Sequence, residues 1–197
     1  MLKEVLSMGL VAVFLVGCGD GSTSPTSLND SDVQLDEISE NLLKPEFQSE
    51  ILEAINKARS ERRDCQDGKG VVGPSEPLIW NSELYLSAYE HSNDLAKSNT
   101  FSHYGSGTDS DITAKELGIE KSFFYQRIEN NGYGEYKILG ENIAGGQKSI
   151  DEVMEAWLNS PKHCANIMNG DYKEIGVAVV IEEGSEYEIY WTQNFGG

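Results

Sequence analysis

The apolar residues of this chain change their period along its length, and that change restricts the folds open to it. Over residues 45–63 they fall at Phe47, Ile51, Ile55 and Ala58, one stripe of a helix. Pro45 suits a first helical position, and Asp64 with Gly68 and Gly70 ends the run. Asn81-Ser82 offers a cap to a second helix striped by Leu84, Ala88, His91 and Leu95. On that apolar stripe, His91 reads as a hydrogen-bonded core histidine. A loop rich in Gly, Ser and Asp follows over residues 101–111 and carries His103. The pattern then predicts a short helix over 122–129, a turn at Asn130-Asn131-Gly132 and a buried strand over 138–144. Gly145-Gly146 ends the strand, where the backbone turns; the spacing has no phosphate-loop pattern. Ile150, Val153, Met154 and Trp157 return to helical spacing, and Pro161 opens a short turn holding His163 and Asn166. Strands over 176–181 and 187–195, joined by Glu182-Glu183-Gly184-Ser185, finish the chain. Helices first and strands late predict an α+β layer fold.

The part before residue 45 has a different character. Lys3 precedes a mostly apolar stretch over residues 5–16, closed by Gly17-Cys18-Gly19. About a dozen apolar residues are too few to span a bilayer, which takes about 20, and suit the core of a signal peptide. Leu15-Val16-Gly17-Cys18 resembles the bacterial lipobox, which implies cleavage after Gly17 and a diacylglycerol on the Cys18 sulfur, so that acyl chains tether the protein to a membrane. Ser, Thr, Asp and Asn then dominate, with no apolar period. Residues 1–17 thus read as a lipoprotein signal peptide, 18–44 as the lipidated cysteine with a disordered acidic tether, and 45–197 as the folded domain. The chain holds 33 Asp and Glu against 15 Lys and Arg, a formal charge of −18. Such a field repels phosphate backbones, which excludes nucleic acid as a partner.

Four runs within the domain carry a resemblance. They are Pro77-Leu78-Ile79-Trp80-Asn81, Phe101-Ser102-His103, Gly140-Glu141-Asn142-Ile143-Ala144, and Trp157-Leu158-Asn159-Ser160-Pro161-Lys162-His163-Cys164-Ala165-Asn166-Ile167. Tyr190-Trp191-Thr192-Gln193-Asn194-Phe195 closes the set. In this order and spacing they resemble the CAP superfamily, or SCP domain, named after cysteine-rich secretory proteins, antigen 5 and pathogenesis-related 1, with bacterial single-domain members the nearest subgroup. The resemblance implies a three-layer α-β-α sandwich with an open cleft lined by histidines and acids. The matching positions are His103, Glu141 and His163. Many eukaryotic members place a second Glu where this chain has Ser160, so the full set of two His and two Glu is not met. Two imidazoles and one carboxylate still suit Zn²⁺ or another divalent cation, with water as a fourth ligand; the alternative is that they only brace one another. Asn142 and Asn166 are expected to brace the same cleft, since an amide both donates and accepts.

With Cys18 lipidated, Cys65 and Cys164 remain as an even pair in an exported protein, which predicts a disulfide. The rival reading makes Cys164 a nucleophile beside His163 and strands Cys65. Three functions stay open. The first is a binding module for a lipid, glycan or peptide, as the mostly non-enzymatic family implies. The second is a metal-dependent, peptidase-like hydrolase using His103, Glu141 and His163, or a Ser160–His163 pair, although the His-Glu-x-x-His pattern is absent. The third is a scaffold of the cell envelope.

Overall fold

The computed structural model describes residues 30–197. Helices α1 (Asp30–Leu42) and α2 (Phe47–Arg59) come first, then short strands β1 (Arg63–Asp64), β2 (Val71–Val72) and β3 (Ile79–Trp80). Helices α3 (Ser82–Ser98), α4 (Ile112–Leu117) and α5 (Phe124–Asn130) precede strand β4 (Leu139–Gly145). Helices α6 (Ile150–Asn159) and α7 (Pro161–Met168) and strands β5 (Glu174–Ile181) and β6 (Ile189–Gly196) complete the chain.

Four strands form one sheet in the order β3-β5-β6-β4, parallel at β3/β5 and antiparallel elsewhere; β1 and β2 pair separately. Alternation along the strands assigns each face to a helical layer. On β5 and β6, Ile175, Val177, Val179, Ile189, Trp191 and Phe195 pack with Ile51 and Ile55 of α2, Val153 and Trp157 of α6 and Ile167 of α7. The intervening residues meet α3: Thr192 accepts a hydrogen bond from Ser92 at 2.8 Å, and Tyr190 packs with Leu95 and Ala96. Gly176 is required at this face, because a Cβ there would run into the α3 backbone at Leu84 and Tyr85. The result is the expected α+β sandwich of three layers. Within it, the Asn81 side chain caps α3 by accepting from the Glu83 and Leu84 amides, as the sequence suggests.

Two stretches differ from expectation. The acidic segment read as tether as far as residue 44 contains α1, whose Leu35, Ile38 and Leu42 are buried, the last two in the core beside Phe47 and Ile51. Three apolar residues at spacings of three and four make a stripe, but one too thin to stand out among so many acids; packing against the domain supplies what the local sequence lacks. The folded unit therefore begins earlier than residue 45. The short turn expected after Pro161 is a helix of eight residues, started by Pro161 in its first turn, where the missing amide hydrogen costs nothing. Cys18 and the signal segment lie outside the described residues.

Candidate functional site

Strand β4 lies at one edge of the sheet, and the alternation of its side chains organises the cleft. Glu141 points to the α3 side, while Asn142, one residue on, points to the α7 side. The loop after α3 brings His103 to Glu141, and the first turn of α7 brings His163 to Asn142.

Glu141 is buried, and both its oxygens are engaged. Oε1 accepts from His103 Nδ1 at 2.9 Å, with His91 Nε2 at 3.8 Å; Oε2 accepts from Arg127 Nη2 at 2.9 Å. The Asn194 amide, turned so that its oxygen accepts from Ser87 Oγ and the Ala88 amide, adds a donor to Oε2 at 3.3 Å. Burial is the largest single influence and raises the carboxyl pKa, but the Arg127 guanidinium together with the His91 and His103 imidazoles outweighs it and holds Glu141 down at about 2. Arg127 is itself buried, donating from Nη1 to the Ser122 carbonyl and hydroxyl and from Nη2 to the His103 carbonyl as well as to Glu141. One side chain thus positions both the acid and the backbone of the histidine that meets it.

His103 is the exposed member of the cluster, with half its side chain accessible. Because ionised Glu141 only accepts, Nδ1 carries the proton in this bond, and in the neutral tautomer so selected Nε2 is an acceptor. His91 lies wholly inside, Nε2 bonded to the Ser102 carbonyl at 2.9 Å; burial lowers its pKa to about 4 and keeps it neutral at pH 7. It is therefore the hydrogen-bonded core histidine expected of an apolar stripe, and it also walls the acid. His163 is half-buried, its pKa lowered by burial, by His103 and by Lys162, so His103 and His163 lie within electrostatic reach of each other.

An amide chain ties the second half of the cleft. Asn166 Nδ2 donates to Asn142 Oδ1 at 2.8 Å and to the Glu141 carbonyl at 3.3 Å. Asn142 Nδ2 donates to the His163 carbonyl at 3.2 Å and to Gln193 Oε1 at 2.8 Å. Ser160 stands half-buried at the junction of α6 and α7, and its hydroxyl makes no hydrogen bond to either imidazole among the described residues. Cys65 and Cys164 form the disulfide, Cα atoms 5.5 Å apart, which removes Cys164 as a nucleophile and staples α7 to the segment after α2.

The sequence reading missed Arg127, Gln193 and Asn194. An arginine on a seven-residue helix carries no local sign of burial; its role depends on β4 arriving opposite. That arrival bears on the metal reading. A guanidinium already occupies one side of Glu141 and an imidazole N–H the other, and no group of three or more His, Cys, Asp or Glu among the described residues is arranged to hold a metal. The expected His103–Glu141–His163 set does not fit a cation that needs all three: Glu141 is paired inside the protein, which leaves two imidazoles without a carboxylate.

A three-layer sandwich with an edge-strand cleft of this composition defines an SCP-type domain. Residues 52–195 match the CAP family, described as the Cysteine-rich secretory protein family, and the chain belongs to it. It is 39% identical over 126 residues to YkwD and 32% identical over 118 residues to the membrane protein YlbC, both of Bacillus subtilis (strain 168). The matched regions are 62% and 60% of this chain but only 40% and 28% of those longer proteins. Among solved structures, an extracellular protein with an SCP domain from Bacillus anthracis superposes with a TM-score of 0.54 at 25% identity, covering 75% of this chain and 39% of that one. An outer surface protein of Borrelia burgdorferi shares the fold, with a TM-score of 0.51 at 21% identity and coverage of 85% and 95%.

Proposed function

We propose that this protein is an extracytoplasmic binding module, lipid-anchored at Cys18, whose cleft at the β4 edge holds a ligand without turning it over. The observation that carries the reading is the commitment of Glu141. A general base or metal ligand must reach its substrate or ion, and this carboxylate is buried, with its two oxygens turned to the His103 and Arg127 donors. What the cleft offers outward is hydrogen-bonding capacity: the exposed edge of His103, the half-buried His163 ring and the Ser160 hydroxyl. Those groups suit recognition of a polar or amphipathic molecule. The extracellular and outer-surface descriptions of structural relatives support an extracytoplasmic setting, as does the lipobox-like leader.

Untargeted mass spectrometry of molecules that co-purify with the full chain tests the proposal. A ligand present on the wild type and absent from His103→Ala and His163→Ala supports binding in the cleft. Cleavage of a broad peptide library by the wild type, with or without added zinc, that His103→Ala abolishes would overturn it in favour of a hydrolase.

A further inference from the structure

Beside the cleft, the surface carries a row of aromatic rings that the core does not use. Tyr104 is 53% exposed, Phe123 41% and Tyr125 41%. Their rings are in contact in series: Tyr104 meets Phe123 edge-on with centroids 5.2 Å apart, and Phe123 stacks on Tyr125 at 5.8 Å. Leaving three touching rings in water forgoes the stabilisation of burying them, and a patch of this kind marks an interaction site.

The row is also rigidly mounted. The Gly105 amide donates to the Ser122 carbonyl at 2.8 Å, clamping the loop of Tyr104 to the start of α5. The Phe123 amide donates to Gln126 Oε1 at 2.9 Å, and Arg127 grips Ser122 from beneath. Gly105 allows the clamp, since a Cβ there would collide with the Asp111 carboxylate and the Ser122 hydroxyl. Rings fixed before a ligand arrives lose little freedom on binding it.

We infer that Tyr104, Phe123 and Tyr125 form a platform for an uncharged glycan strand, a partner that goes beyond the cleft reading and does not depend on it. Three features select this occupant. The rings present apolar faces, while the Tyr104 and Tyr125 hydroxyls make no hydrogen bond among the described residues. A sugar ring matches that surface, with C–H groups on its face and hydroxyls on its rim. The three rings adjoin one another on an open surface, which offers a succession of ring faces along a strand of repeating sugar units. On the same segment exposed Asp109, Glu116 and Glu120 outnumber Lys115 and Lys121, and the chain carries −18 overall, which opposes docking on an anionic bilayer or an anionic polymer.

The experiment is a titration of the folded protein with the N-acetylglucosamine tetramer, read by NMR of the aromatic side chains and by calorimetry. Phosphatidylcholine vesicles and a proline-rich peptide are run in parallel. The tetramer shifts the Tyr104, Phe123 and Tyr125 resonances, and Phe123→Ala weakens its binding about tenfold or more, as loss of an aromatic anchor does. Tyr89→Ala, which removes another exposed ring on α3, leaves binding unchanged. Melting curves of the variants establish that each is folded. His103→Ala separates the two proposals: glycan binding that survives it belongs to the ring row, whatever becomes of the cleft ligand. No response to the tetramer, equal loss in Phe123→Ala and Tyr89→Ala, or binding of the peptide or the vesicles in its place would overturn the inference.

Discussion

Arg127 and Glu141 are both buried, and each is tolerable only because the other is there. Removing one partner of such a pair leaves an uncompensated charge in the interior, which costs about 3–5 kcal/mol, whereas removing both is far cheaper. Arg127→Met is therefore expected to destabilise by about that much, and Glu141→Gln in the same background to restore part of the loss. Urea denaturation of the two single variants and the double gives the coupling; additive losses would show that the pair does not act as a unit. A pH effect belongs to this scale too. Folded His91 has a pKa of about 4 against an ordinary 6.5, so the unfolded chain binds more protons between those values. Stability is full above about pH 6.5 and falls by on the order of 3 kcal/mol as the pH drops to about 4. Glu141, at about 2 against 4.5, has the same sign and extends the loss below pH 4.5. Denaturation midpoints should decline from pH 6.5 to 4 in the wild type and less steeply in His91→Gln, where the remaining slope includes His163. A flat wild-type profile would refute the assignment of a neutral, buried His91.

At the scale of elements, α7 is short and bears His163, Cys164 and Asn166 at once. The disulfide joins positions 99 residues apart, so on the chain-entropy argument it stabilises by up to roughly 4.7 kcal/mol. Cys65→Ala/Cys164→Ala is expected to lose about 2–5 kcal/mol. Because the cross-link holds α7 against the body, the loss should come with faster amide hydrogen exchange over 161–168 than over β5 and β6. Exchange that rises uniformly would mean the staple acts on global stability alone. Helix α1 is the contrasting case: its identity as a helix comes from Ile38 and Leu42 finding the core, with Leu35 buried beside them in sequence, not from its own acidic sequence.

For the whole molecule, charge and anchor act together. A chain at −18 is repelled by polyanions and anionic lipid, so on the proposed reading its residence at a membrane would rest on acyl chains at Cys18. Cys18→Ser should move the protein from the membrane fraction to the soluble fraction without changing its melting temperature. Identical fractionation of wild type and variant would contradict lipid anchoring.

How much of this was legible beforehand follows from the range of each interaction. The stripes Phe47-Ile51-Ile55 and Leu84-Ala88-His91-Leu95, the Asn81 cap and the two closing strands are local patterns, and by themselves they determined an α+β layer fold; its three layers came from the family resemblance. The even cysteine pair determined which bond would form, while the spaced runs around His103, Glu141 and His163 pointed to the cleft only through the family they resemble. Tertiary structure alone decided that Arg127 would stand beside Glu141, because an ion pair between residues 14 apart on a helix and an edge strand depends on how those elements meet. It also decided that α1 is folded and that Tyr104, Phe123 and Tyr125 stand in one exposed row. Periodicity reports which face of an element is apolar; burial, pairing and desolvation depend on what the rest of the chain brings against that face.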